Sequence, residues 1–238
     1  MTPSDRQLVL PLAHRPQLGQ ADFLTSASNL AAFAAVTAAP VQTLILSGPK
    51  GAGKSHLASI WGQGNDAALV RAADLTDSMV AAMHASAAVV IEDADSLTAL
   101  PDKDRRPAEA MLFHAINLCR AEQTALLITG RTAPGYWDIL TPDLASRLEA
   151  MNHVPIDSPD DDLLSSILNK LLGDRQIAAN SDLTKYLVLR MERSFAAAQR
   201  IVDHLDRKAL ARRRAVTRAL AAEIYADDPG ILTGTGET

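Results

Sequence analysis

The sequence predicts an α/β protein, a parallel sheet with flanking helices followed by a small all-helical unit. Three observations carry this expectation. An apolar run, TLILS at 43–47, leads straight into Gly48-Pro49-Lys50-Gly51-Ala52-Gly53-Lys54-Ser55 and then into the helix-forming stretch KSHLASIW. Downstream, short apolar runs without polar alternation recur between helical patterns, as in strands covered on both faces. After residue 157 these runs cease and only helical spacing remains.

In chain order, residues 69–72 read as a short strand, 74–84 as a helix, 87–91 as a buried strand, 107–120 as a helix and 125–129 as another buried strand. Thr141-Pro142-Asp143 caps a helix running to about residue 150, with proline in its first turn, and 153–156 makes the last strand. The run Asp157-Ser158-Pro159-Asp160-Asp161-Asp162 opens the helical region, with Ser158 as N-cap, Pro159 as first helical residue and the aspartates at the positive helix end. Residues 163–172, 181–190 and 194 to about 225 read as three helices, the last carrying Ala198, Ile201, Leu205 and Ala209 at 3-4 spacing. Residues 230–238 form a polar tail. At the other end, Gln7-Leu8-Val9-Leu10-Pro11-Leu12 stands apart, and Pro11 argues against a central strand.

Residues 48–55 fit the GxxxxGK(S/T) pattern of a phosphate loop. Glycines at 48, 51 and 53 let successive backbone N–H groups turn inward, and the following helix adds its positive end. Lys54 is placed to meet β- and γ-phosphates as a point charge, and the Ser55 hydroxyl to meet a bridging Mg²⁺. The bland alternative is a glycine-rich turn. A phosphate loop requires a later apolar strand ending in acids, and Val89-Val90-Ile91-Glu92-Asp93 supplies one; a strand ending at a solvated acid pair is the alternative there.

The chain has 238 residues, 47% of them hydrophobic, enough for one large core and a smaller satellite. No apolar run approaches a bilayer span and the start lacks a signal peptide's pattern, so a cytoplasmic protein without membrane contact is expected. Cys119 is the sole cysteine, which excludes an internal disulfide; Phe113 and Ile116 beside it suggest a buried hydrophobe. The six histidines are scattered without ligand-like pairing. Net charge is −5, yet 193, 200, 207, 208, 212, 213, 214 and 218 are all Arg or Lys, against Asp203 and Asp206 alone in that stretch. A solvated helix face explains such a run; contact with nucleic acid or an acidic protein is the alternative.

The segments GPKGAGKSHLA, VVIEDAD, LLITG with PDLASRLEA, and QLVLPL together resemble AAA+ ATPases of the bacterial replication-initiator (DnaA/Hda) family, over residues 7 to about 220. Within it the chain is similar to the regulatory inactivators of the initiator. The resemblance implies an AAA+ P-loop sheet at 21–157, a helical lid at 158–226, an N-terminal arm at 1–20 and a flexible tail at 227–238. It implies ADP or ATP with Mg²⁺, contacted by Gly48, Pro49, Lys50, Gly51, Ala52, Gly53, Lys54, Ser55 and His56, with Ser55 and Glu92 toward the metal and Asp93 toward water. Thr129 falls in the sensor 1 region, Arg193 at the sensor 2 position, and Arg147 at the arginine finger, which acts in trans on a neighbour's nucleotide. Asp22, Phe23, Leu24, Ser28 and Asn29 lie where the family's linker nears the adenine, and Gln7, Leu8, Leu10 and Leu12 where the inactivators bind the DNA polymerase sliding clamp.

Two departures bear on mechanism. Glu92 stands at the usual metal-facing aspartate and Asp93 after it, and Arg131 stands where the family commonly has an acid. Ångström-scale misplacement can cost a hundredfold in rate, so weak or absent intrinsic hydrolysis is expected. The expected function is an ADP-bound regulator, tethered to the clamp, that stimulates ATP hydrolysis by the initiator, with self-association possible and DNA contact mainly indirect. The competing reading is an initiator-like or helicase-loader-like ATPase that binds DNA through the basic C-terminal helix. Nothing after Tyr225 resembles the initiator's helix-turn-helix domain, and no acceptor-substrate signature supports a self-contained phosphotransferase.

Overall fold

The computed structural model describes residues 19–39, 43–178 and 180–227; the clamp-binding-like hexapeptide and the polar tail lie outside the described residues. In chain order, helix α1 (Leu30–Thr37) precedes strand β1 (Leu44–Ser47), and then α2 (Lys54–Gly64), β2 (Ala67–Arg71), α3 (Asp77–Ala82), β3 (Ala88–Glu92), α4 (Asp102–Ala121), β4 (Ala125–Gly130), α5 (Pro142–Glu149) and β5 (Asn152–Pro155) alternate. The five strands form one parallel sheet in the order β2-β3-β4-β1-β5. Parallel neighbours need crossovers, and the intervening helices supply them.

Alternation along each central strand divides the core in two. Ile45, Val89, Ile91, Leu126 and Ile128 face one way and pack with Leu112 and Ile116 of α4 and Leu144 and Leu148 of α5. Leu44, Leu46, Val90 and Leu127 face the other way and pack with Val36 of α1 and Leu57 and Trp61 of α2. Helices α2 and α5 therefore cover opposite faces. Burial on both faces, expected for every strand, holds for β1, β3 and β4. It fails for β2 and β5, because these are the edges; Leu69 is 55% exposed.

Helices α6 (Asp161–Asp174), α7 (Ser181–Val188), α8 (Phe195–Arg212) and α9 (Arg218–Asp227) build a separate core around Leu164, Leu168, Leu187, Ile201, Leu205 and Ile224. Leu24, from the segment before α1, also packs on it.

Several boundaries differ from those read in the sequence. Helix α4 begins at Asp102 rather than at Pro107; acids at 102 and 104 suit its first turn, and Pro107 sits inside it. Ser158 does not cap α6, since Asp160 Oδ1 accepts the Leu163 N–H at 2.7 Å instead. The long last helix is two helices: Arg213 adopts φ 51°, ψ 41° and ends α8. The helix expected over 74–84 is the shorter α3, flanked by 3₁₀ turns at Ala72–Asp74 and Met83–Ala85.

Candidate functional site: a phosphate loop and an arginine on the opposite face

The loop between β1 and α2 is fixed on both sides. Gly48 N–H donates to Gly130 O of β4 at 3.2 Å, and a Cβ at Gly48 would come within 2.3 Å of Ile156 O. Gly51 and Gly53 take φ of 82° and 101°, a left-handed conformation that a side chain would strain. Gly53 is the N-cap of α2, so the free amides of the helix start face the same loop that positions Lys54 and Ser55.

Lys54 is buried, and its Nζ donates to Gly48 O at 2.5 Å and Pro49 O at 3.0 Å. Burial holds its ammonium below the usual lysine range; the charges of Asp93 and Asp95 work against this shift, Arg131 reinforces it, and Glu92 opposes it. The charges of four side chains thus act on one ammonium, and Asp95 is one to which the sequence assigned no role. Ser55 is exposed on the first turn of α2, as are Pro49 and Lys50 ahead of it, while Ala52 is buried.

The acids stand at the end of β3. Glu92 Oε1 is buried without a hydrogen-bond partner among the described residues. Asp93 takes φ 54°, its N–H donates to Thr129 Oγ1 at 3.0 Å, and its Oδ2 lies 3.8 Å from Arg71. Thr129, 1% exposed, therefore fixes the acid's backbone from the neighbouring strand. Ser55 hydroxyl and an orphaned carboxylate oxygen are hard donors that suit Mg²⁺, an ion that keeps water and phosphate oxygens for its remaining positions. The residues present fit that ion.

His56 touches the segment before α1. Its ring meets Phe23 edge-on at 5.0 Å, Phe23 stacks on Phe33 at 5.4 Å, and Nε2 donates to Gly19 O at 3.2 Å. Burial lowers the His56 pKa against the opposing bond to Gly19, which favours the neutral ring. A Cβ on Gly53 would sit 3.5 Å from Phe23, so this aromatic lies beside the phosphate loop. Asp22 then reaches the helical unit through an ion pair with Lys170 of α6 at 2.6 Å. Ser28 O accepts the Asp157 N–H, and the Asn29 side chain closes the turn onto Ser26 N and Leu24 O.

The helical unit meets the loop at Ser194. A Cβ on Gly51 would fall 2.2 Å from Ser194 Cβ; Ser194 is 2% exposed and its Oγ accepts Ala197 N–H to cap α8. Arg193, adjacent in sequence, directs its guanidinium elsewhere, to Pro159 O at 3.0 Å and Asp161 Oδ1 at 2.5 Å. Ser194 was missed in the sequence because its partner lies 143 positions away (194 − 51).

Arg147 is on α5, on the sheet face opposite α2. It makes no ion pair with Asp143 or Glu149; its guanidinium lies over the Phe113 ring of α4 at 5.6 Å. The start of α5 is pinned by Glu109, which is 0% exposed. Its carboxylate accepts from Arg105 Nε (3.0 Å), Leu140 N (3.0 Å), Thr141 N (2.9 Å) and Thr141 Oγ1 (2.8 Å). Thr141 occupies the expected N-cap position, but its hydroxyl serves Glu109.

No protein-family model matches the chain, and no curated protein matches it. Solved structures do. Domain III of the Thermotoga maritima replication initiation protein DnaA superposes with a TM-score of 0.74 at 16% identity, covering 90% of this chain and 97% of that one. Together with the strand order and the loop between β1 and α2, this decides the architecture. The fold is that of AAA+ P-loop domains. A DnaA bound to AMPPCP and single-stranded DNA matches with a TM-score of 0.69 at 17% identity over 81% of this chain, which spans 65% of the DnaA chain. A variant of Thermotoga maritima RuvB matches with a TM-score of 0.63 at 18% identity, over 83% of this chain and 67% of RuvB. Among the described residues, no helix of this AAA+ fold is long and apolar enough to cross a membrane.

Proposed function

We propose that the protein is an Hda-like AAA+ regulator of replication initiation that inactivates the initiator DnaA by stimulating its ATP hydrolysis. ADP or ATP is held in the phosphate loop by the amides of 48–55 and by Lys54, and Ser55 and Glu92 hold the Mg²⁺ that neutralises the phosphates. Phe23 and His56 flank the base end. Ser194 joins the loop to the lid and Asp22 joins the segment before α1 to it, so nucleotide in the loop orders both units. Gln7, Leu8, Leu10 and Leu12 tether the chain to the sliding clamp, which raises its effective concentration at replicating DNA.

The observation that carries this reading is the placement of Arg147. It stands on the face opposite the chain's own phosphate-loop helix, without a carboxylate partner among the described residues, where it suits a nucleotide bound to another protein. There a guanidinium neutralises charge developing on the transferred phosphoryl group. The DNA-binding alternative draws less support, because Arg193, Arg200, Arg212 and Arg214 pair with Asp161, Glu192 and Glu223.

The test is ATP hydrolysis by DnaA with this protein, nucleotide and DNA-loaded clamp. Stimulation is expected, and its loss in Arg147→Ala and in the Gln7→Ala, Leu10→Ala double variant. A folded, nucleotide-bound protein that gives no stimulation overturns the reading.

A further inference from the structure

Beside Arg147 lies a cleft of about 400 Å³ lined by Phe113, Arg120, Asp143, Ser146, Arg147 and Ala150. Arg120 occupies the last turn of α4, seven residues after Phe113. Positions i and i+7 share a helix face, so α4 presents to this cleft both the ring under Arg147 and a second guanidinium. Arg120 is exposed and forms no ion pair or hydrogen bond through its side chain among the described residues. Asp143 is the single acid of the lining, which leaves the cleft with a formal charge of +1 (two arginines against one aspartate).

We infer that Arg120 is a second phosphate-binding cation of the site that acts in trans, closing with Arg147 on the polyphosphate of a nucleotide held by the partner. The inference rests on the proposed role of Arg147 and deepens it. Two guanidiniums on one cleft repel each other until an anion lies between them, and a polyphosphate carries enough charge and enough acceptor oxygens to engage both forks. Phe113 holds Arg147 by its face and leaves the guanidinium edge free to donate. Ser146 and Ala150 are small, which keeps the cleft open to a phosphate. The two arginines come from different helices, so the pair spans the cleft. Arg147 alone provides a point of charge; with Arg120 it provides a clamp, and the clamp strengthens as charge builds on the transferred group.

The experiment measures stimulated ATP hydrolysis by DnaA across a range of concentrations of the full chain, separating the maximal rate from the half-saturating concentration. Wild type, Arg120→Ala, Arg120→Lys and Arg147→Ala are compared, with melting curves to establish folding. Arg120→Ala is expected to lower the maximal rate about tenfold or more, the effect of losing one charge-assisted contact, with partial recovery in Arg120→Lys. A wild-type maximal rate in Arg120→Ala, or a change confined to half-saturation, overturns the inference while loss in Arg147→Ala leaves the trans reading standing. Full stimulation by Arg147→Ala removes the trans reading itself.

Discussion

Replacing Glu109 by glutamine removes the group that holds the start of α5 to α4. The carboxylate is fully buried and accepts four hydrogen bonds, from Arg105, Leu140 and twice from Thr141. An amide keeps one acceptor oxygen; with its NH₂ toward Thr141, the hydroxyl can turn to accept but the Thr141 N–H bond is lost. It also leaves Arg105, 4% exposed, with Asp138 at 3.4 Å as its remaining acidic partner, and Asp138 is exposed. Hydrogen bonds to charged groups contribute about 1.5–3 kcal/mol each, and breaking a buried pair by removing one partner costs about 3–5 kcal/mol. These are overlapping accounts of one loss, and about 3–5 kcal/mol is the expected destabilisation. At about 2–4 °C per kcal/mol for a chain of this size, the melting temperature falls by about 6–20 °C. The pH dependence has a defined sign. Burial raises the Glu109 pKa, but bonds from Leu140 N–H, the Thr141 hydroxyl, Arg105 and Thr141 N–H outweigh it and hold the group below its ordinary 4.5. A folded value below the unfolded one stabilises the protein above pH 4.5, and that contribution is lost as pH falls through the folded value. Urea titrations of both proteins at pH 7 and at descending pH measure this. A Glu109→Gln stability within about 1 kcal/mol of wild type at pH 7 would refute the reasoning.

Two further outcomes follow from local geometry. Gly51→Ala places a Cβ 2.2 Å from Ser194 Cβ at φ 82°; a cost of about 1–3 kcal/mol and weakened nucleotide-dependent protection of residues 194–198 from hydrogen exchange are expected. An unchanged exchange pattern would show that loop and lid are not coupled there. Burial pushes the Cys119 thiol up to about 11, so roughly 0.1% of it is thiolate at pH 8; a thiol reagent should label it only after unfolding, and rapid native labelling would contradict its placement.

The phosphate loop and the strand ending at Glu92 were legible because their chemistry is written in consecutive residues. Glycine positions, an apolar lead-in and a helix start all lie within 43–61. Edge strands were not legible: β2 carries an apolar run like the central strands, and its position at the end of the order exposes it. Caps competed within one run of polar residues, and Asp160 prevailed over Ser158 through its bond to Leu163. The left-handed residue that splits the last helix is an arginine among arginines, with no glycine to signal it. In the site, Lys54 and the acids were readable. The ring under Arg147 and the serine against Gly51 come from distant segments, and only packing brings them together. The Arg105–Glu109 pair did have a signal, its i, i+4 spacing, though nothing in that spacing shows that the pair is buried against Thr141.

The most direct test of the account is the equilibrium binding of ATP and ADP, with Mg²⁺, by wild type and Lys54→Met, alongside the melting temperature of each. Burial of the Lys54 ammonium is unfavourable, its bonds to Gly48 O and Pro49 O offset that cost, and methionine removes both together, so the melting temperature should change little. Wild type should bind both nucleotides, and Lys54→Met should bind them on the order of 10- to 100-fold more weakly. Equal binding by the two proteins would contradict the assignment of residues 48–55 as the nucleotide site.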